Sequence, residues 1–307
     1  MAPTPQLEND MNEQQLVSPR TTETPSISSS AMLVEINRRR WNGYAQNKDA
    51  TEKVRQDYNA GRKSARVNQT LLINEPLFDQ VNTLYGCLST VLYHCTMPWL
   101  DRGPRLLTTP MFFEFNKQVT EIINEIEQKA LPAFYAEYPN MIVRAGSTDR
   151  LGDLFNPEHY PDLETLKTHY SITLKYAPVP DAGDFRVDVG HDALQMLKSS
   201  YETYYQDQLK SAYKDVWDRT HEALTNMSKK LEGEKKQTFR DTLVSNVEDM
   251  IDLLDKFNIT GDDTMRRAKA RIEQTLRGVT PEALREDDSY RLDTKRKVDQ
   301  LLKEFEW

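Results

Sequence analysis

The chain reads as a mainly α protein of the α+β kind. It places a small β element with two apolar helices in the front half and an antiparallel helical bundle or coiled coil in the C-terminal third. Three observations give this class. From His191 to Trp307 there is one proline, Pro281, and there are three glycines, Gly233, Gly261 and Gly278, while apolar residues return every three or four positions. Two further stripes of helical period, beginning at Leu77 and Phe112, are the most apolar in the chain. Period-two alternation is confined to short stretches of the front half.

Taken in order, residues 1–30 are rich in Pro, Thr, Ser, Glu and Gln and carry almost no large apolar side chain. Such a segment cannot bury enough surface to offset its ordering entropy, so a disordered tail is expected. An α+β domain is expected over residues 31–190. Leu33, Glu35, Asn37 and Arg39 alternate with Val34, Ile36 and Arg38, which predicts a strand ending at Trp41, and Asn42-Gly43 supplies a turn. Residues 48–59 form a short charged helix, and residues 66–73 a second strand or an extended connection.

Asn74-Glu75-Pro76 is a helix start, with Asn as cap and Pro in the first turn. Leu77, Val81, Leu84, Leu88, Val91, Leu92 and Cys95 make its stripe until Pro98. Thr109-Pro110 repeats the signal, and Phe112, Phe115, Val119, Ile122, Ile123 and Ile126 follow before Pro132 interrupts. Residues 139–161, rich in Gly, Pro, Asp and Asn, are expected to connect, and residues 163–169 to make one or two helical turns. Ser171–Tyr176 and Phe185–Val189 alternate around a Pro- and Gly-containing loop, which predicts a β-hairpin.

The last third, residues 191–307, divides at its glycines into four helices. The first spans residues 192–231, about 60 Å at 1.5 Å per residue, with Leu194, Leu197, Tyr201, Tyr204, Leu209, Ala212, Val216, Leu224, Met227 and Leu231 on one stripe. Phe239, Leu243, Val247, Ile251, Leu254 and Phe257 mark the second, and Met265, Ala268, Ile272 and Leu276 the third. Thr280-Pro281 opens the fourth, with Leu284, Leu292, Val298, Leu301 and Phe305.

Cys87 and Cys95 are eight positions apart on one helix, about 12 Å, too far for a disulfide. Reduced core thiols of an intracellular protein are expected. The first residues lack the basic-then-apolar order of a secretory signal, and no run approaches a membrane span, so a cytoplasmic protein without membrane contact is expected.

The formal net charge of −8 is uneven. Residues 38–66 hold nine basic residues against three acidic ones, a local +6 that leaves −14 for the rest. Arg38, Arg39, Arg40, Lys53, Arg55, Arg62, Lys63 and Arg66, with Trp41 and Tyr44 among them, mix cations and rings as single-strand binders do. They are the candidate anion or nucleic-acid residues; the alternative is a solvated face that pairs with the acidic helices of the same chain. Tyr201, Tyr204, Tyr205, Tyr213 and Trp217 are candidate interface residues, or half-buried packing. The five histidines are dispersed, and no phosphate loop, dinucleotide fingerprint, nucleophile elbow or calcium-loop spacing occurs. No cofactor, metal or catalytic residue is therefore assigned.

Residues 34–189 contain Arg40-Trp41-Asn42-Gly43 after a short strand, then Leu71-Leu72-Ile73-Asn74-Glu75-Pro76-Leu77, a second apolar helix, and the stretches at Ser171–Tyr176 and Phe185–Val189. In this order of elements, over roughly half the chain, the sequence resembles a bacteriophage and bacterial family of unknown function. Its members are often encoded beside a MoxR-type AAA ATPase and a von Willebrand A-type protein resembling a cobaltochelatase subunit. The resemblance implies a phage-linked accessory protein of the host cytoplasm without catalysis of its own, and it supplies no site residues. The expected function is non-enzymatic assembly or docking through the helical third, to a protein partner or a second copy. The alternatives are a single-stranded nucleic-acid-binding accessory factor and a virion component.

Overall fold

A computed structural model describes residues 27–180, 189–232 and 242–305. The first alternating stretch becomes β1 (Ala31–Arg39), with Val34 and Ile36 buried on its inner face and Asn37 and Arg39 exposed on the other. β1 is the central strand of a three-stranded antiparallel sheet, flanked by β4 (Arg105–Thr108) and β5 (Ser171–Pro178). Arg105-Leu-Leu-Thr108 is too short to show a period between the Gly103-Pro104 and Thr109-Pro110 breaks, which is why sequence reading passes over β4. β5 pairs with β1, Leu174 opposite Ile36. Its expected hairpin partner at residues 185–189 lies, Val189 apart, outside the described residues.

Gly43 makes the turn after β1 with φ +66°, and a Cβ there would meet the Phe78 ring at 2.6 Å. The chain then forms β2 (Tyr44–Gln46), α1 (Lys48–Asp57) and β3 (Asn68–Thr70), with β2 and β3 antiparallel. Asn47 caps α1 by accepting from the Ala50 N–H at 2.8 Å.

The two apolar stripes become α2 (Pro76–Cys95) and a longer helical run of α3 (Phe112–Glu125) and α4 (Leu131–Ala145). Two sequence expectations change here. Pro132 does not end the helix, because a π-helical turn at Ile126–Ala130 precedes it and absorbs the missing donor and the ring. Pro139 does not open a connection either. It lies inside α4 on the exposed side, where water can take up the freed carbonyl.

Asn74 was the expected cap of α2, but it sits at φ +54° and Glu75 holds the cap position. The Glu75 side chain makes no cap bond; it is 2% exposed and turned toward α4. It accepts from Arg144 Nη2 at 2.7 Å and Arg144 Nε at 3.0 Å, and it also pairs with Arg150. Burial by itself raises the Glu75 pKa, but the hydrogen bonds and charges of Arg144 and Arg150 outweigh it and hold the carboxyl below its ordinary range. The pair ties the start of α2 to the end of α4, and Trp41, Phe78, Phe134 and Tyr138 pack between those helices at ring separations of 5.7–5.9 Å.

In the rear, α6 (His191–Glu232), α7 (Thr242–Phe257), α8 (Asp263–Leu276), the short α9 (Pro281–Glu286) and α10 (Asp288–Glu304) follow the six-residue α5 (Leu163–Thr168) and β5. Gly261 and Gly278 make turns at φ +71° and +77°, and Gly233 lies outside the described residues. Directions follow from side-chain pairs. Ser228 meets Asp299 and Trp217 stacks on Phe305, so α10 runs against α6. Arg271 meets Glu304 and Gly278 O accepts from Tyr290, so α8 also runs against α10. The fourth expected helix is two, because Asp287 caps a new start by accepting from Ser289 N and Tyr290 N. Leu292, expected on its stripe, is 49% exposed; Arg291, Thr294, Val298 and Leu301 take the inner face.

Replacing Glu75 by Gln leaves two arginines facing a neutral partner. We expect a loss of about 3 kcal/mol at neutral pH, measured by urea unfolding. The folded pKa of Glu75 is depressed, so its contribution is complete above about pH 4.3 and fades as the pH falls through the folded value. The variant should therefore lose less stability than the wild type on acidification; equal acid slopes would rule out this role.

Candidate functional site

The basic residues do not form one face. Arg38 lies on the inner side of β1, and Arg40 continues that side just past the strand, both against α2. Arg38 Nη1 donates to Tyr85 O at 2.7 Å and to Ser89 Oγ, while Arg40 Nη1 donates to Asn82 Oδ1 at 2.9 Å and Asn82 O at 3.1 Å. Arg39 is exposed on the opposite side of the strand. Lys53 is exposed on α1 and lines a cleft with Asn47 and His159. Arg55 folds back to Ala65 O at 3.0 Å and to Glu52. Arg62, Lys63 and Arg66 are exposed in the segment between α1 and β3.

Trp41 is corrected as a stacking residue. It is 8% exposed, with its ring edge-on to Tyr138 at 5.9 Å and tilted against Phe78, so the core holds the face that a base would need. Tyr44, by contrast, is 58% exposed.

The expected pairing of this basic segment with acidic helices of the same chain is not seen. Among the described residues its only carboxylate contact is Arg55 with Glu52, three positions apart on α1.

The aromatic residues of α6 face inward within the chain more than outward. Tyr205 is 1% exposed, sits edge-on to Trp99 at 5.4 Å, and its hydroxyl accepts from the Ile27 N–H at 3.1 Å. Tyr213 meets Thr260 Oγ1 at 2.6 Å, and Trp217 stacks on Phe305. Tyr201 is half-buried beside Tyr205, and Tyr204, placed on the stripe by period alone, is 41% exposed. Trp99 and Arg219 are the partners that sequence reading missed. Arg219 Nη2 donates to Thr96 O at 3.0 Å, closing the C-terminal end of α2 from the flank of α6. Neither residue belongs to a periodic stripe that would have marked it.

Other reactive groups are dispersed. Cys87 and Cys95 are free, and burial pushes the Cys95 thiol up to about 11. Among the described residues no group of three or more His, Cys, Asp and Glu could hold a metal ion, and no helix is long and apolar enough to cross a membrane. Comparison with family models, curated proteins and solved structures gives no match for the chain.

The seam between front and rear makes a graded prediction. Tyr205→Phe removes one hydrogen-bond acceptor and should cost about 1 kcal/mol. Tyr205→Ala also empties the space beside Trp99 and should cost about 3–5 kcal/mol. Denaturant unfolding measures both; a Tyr205→Ala loss below about 1 kcal/mol would show that the seam is weak.

Proposed function

We propose that the chain is a non-enzymatic interaction protein that docks a protein partner through the start of α6. One observation carries this reading. The stripes of the rear helices close on one another, with buried residues along α6 running from Tyr205 to Leu231. The turns before Tyr205 are different. Leu194 and Leu197 are half-buried and lie outside the apolar cluster, Met196 is 68% exposed, and Val189 just ahead of them is 48% exposed. An apolar helical face of this kind fits a groove or a second helix on a partner. The family resemblance supports a MoxR-type AAA ATPase as that partner and a phage-linked accessory role in the host cytoplasm.

Size-exclusion chromatography with light scattering tests the reading. Alone or mixed with a purified MoxR-type ATPase, the chain should elute above its 35.7 kDa monomer mass. Met196→Glu with Leu197→Glu should return it to the monomer with unchanged helicity. A wild-type monomer indifferent to the ATPase would count against the proposal.

A second reading is a single-stranded nucleic-acid-binding accessory factor. It is favoured by the absence of carboxylate partners around Arg39, Lys53, Arg62, Lys63 and Arg66 among the described residues. Binding of a fluorescent oligonucleotide should weaken steeply with salt. Replacing Arg62, Lys63 and Arg66 by Gln should lower the log–log slope by about 2. No binding at low salt would remove this reading.

A further inference from the structure

The recess between β1 and α2 brings two arginines together without a carboxylate. Strand geometry sets this up. Val34, Ile36, Arg38 and Arg40 alternate onto one side of the chain, so the two cations continue the line of the core past its edge. The recess they line with Tyr85, Gly86 and Ser89 has a volume of about 170 Å³, enough for a tetrahedral oxyanion. Neither guanidinium is in an ion pair among the described residues, and each is held through Nη1 alone. The remaining Nε and Nη2 donors of both are left to an outside acceptor. Ser89 Oγ accepts from Arg38, so its own hydroxyl proton can also be donated.

The floor supplies an independent observation. Gly86 sits in the middle of α2, where glycine is unfavourable. It has no positive φ, and a Cβ built on it would meet nothing within 4 Å. Neither backbone conformation nor packing accounts for a glycine there. Gly86 lines the recess, and its missing side chain leaves that part of the recess open. Like charges held side by side repel, and burial together with the Arg40 charge holds the Arg38 guanidinium below its ordinary pKa. A bridging anion relieves that repulsion, and guanidinium groups fixed in advance lose little freedom on binding it.

We propose that Arg38, Arg40 and Ser89 form a binding site for a single phosphate-class oxyanion over Gly86. The group comes either from a small phosphate-bearing ligand or from a nucleic-acid backbone. This goes beyond docking through α6 and does not depend on it, so Met196→Glu with Leu197→Glu should leave the site unchanged.

Isothermal titration of the full chain with inorganic phosphate, against sodium chloride at matched ionic strength, tests the site. The wild type should bind phosphate saturably where chloride gives no heat. Arg40→Gln should weaken binding about tenfold or more. Gly86→Met, which keeps both arginines and fills the recess, should do the same with an unchanged circular dichroism spectrum. Arg39→Gln, on the other side of β1, should bind as the wild type does. Displacement of phosphate by a deoxythymidine ten-mer would assign the group to a nucleic-acid backbone. Failure of the ten-mer to compete would assign it to a small ligand, and either result keeps the site. A wild-type titration that matches chloride overturns the proposal. So does an Arg39→Gln loss equal to that of Arg40→Gln with Gly86→Met unaffected, because binding would then be a diffuse property of the basic segment.

Discussion

Helix α6 has to satisfy two sets of neighbours along one 42-residue length, and the arrangement of the chain depends on that constraint. Its Tyr205 fills the space beside Trp99 and binds the backbone at Ile27, and its Arg219 closes the end of α2. The same helix carries Val216, Leu224, Met227 and Leu231 into the cluster shared with α7 and α10. Lys256 on α7 adds a second tie, pairing with Glu114 on α3 at 2.7 Å. Front and rear are therefore joined by specific polar contacts as well as by apolar burial.

Within the front half, Glu75 plays the corresponding part. A carboxylate buried at the start of α2 is tolerable only because two arginines from the end of α4 and the loop after it reach it. That requirement fixes how α2 and α4 approach each other, and with them the Trp41–Phe78–Tyr138 packing that Gly43 leaves room for. The sheet then presents the inner side of β1 to α2, which brings Arg38 to Ser89 and Arg40 to Asn82. The oxyanion recess thus follows from the same packing that builds the core.

The fold class and most helices were legible in the sequence because burial on one side of a helix leaves a period. Leu243 to Phe257 and Met265 to Leu276 show this directly. What escaped depends on partners distant in the chain. Tyr205 and Tyr204 are adjacent in sequence, and the contacts with Trp99 and Ile27 mark which of them turns inward. Arg291 and Thr294 look like surface residues yet lie on the inner face of α10. Pro132 reads as a break until the π turn before it is seen. Of the candidate site, the basic residues were visible as a charge excess. Their division between two sides of β1 was implied by alternation, but the role of Gly86 and Ser89 needed α2 beside the strand. Trp41, in the middle of the basic run, was assigned to the surface because composition carries no depth.

The shared role of α6 is most directly measured by hydrogen exchange of the full chain followed by mass spectrometry. If the helix joins front and rear, amides of residues 205–231 should exchange as slowly as those of α2 and α7, through a common opening. Residues 191–201, which lead into the exposed turns, should exchange much faster. Uniform protection along the whole of α6, or separate opening of α2 and α7 with residues 205–231 following only one of them, would contradict the account.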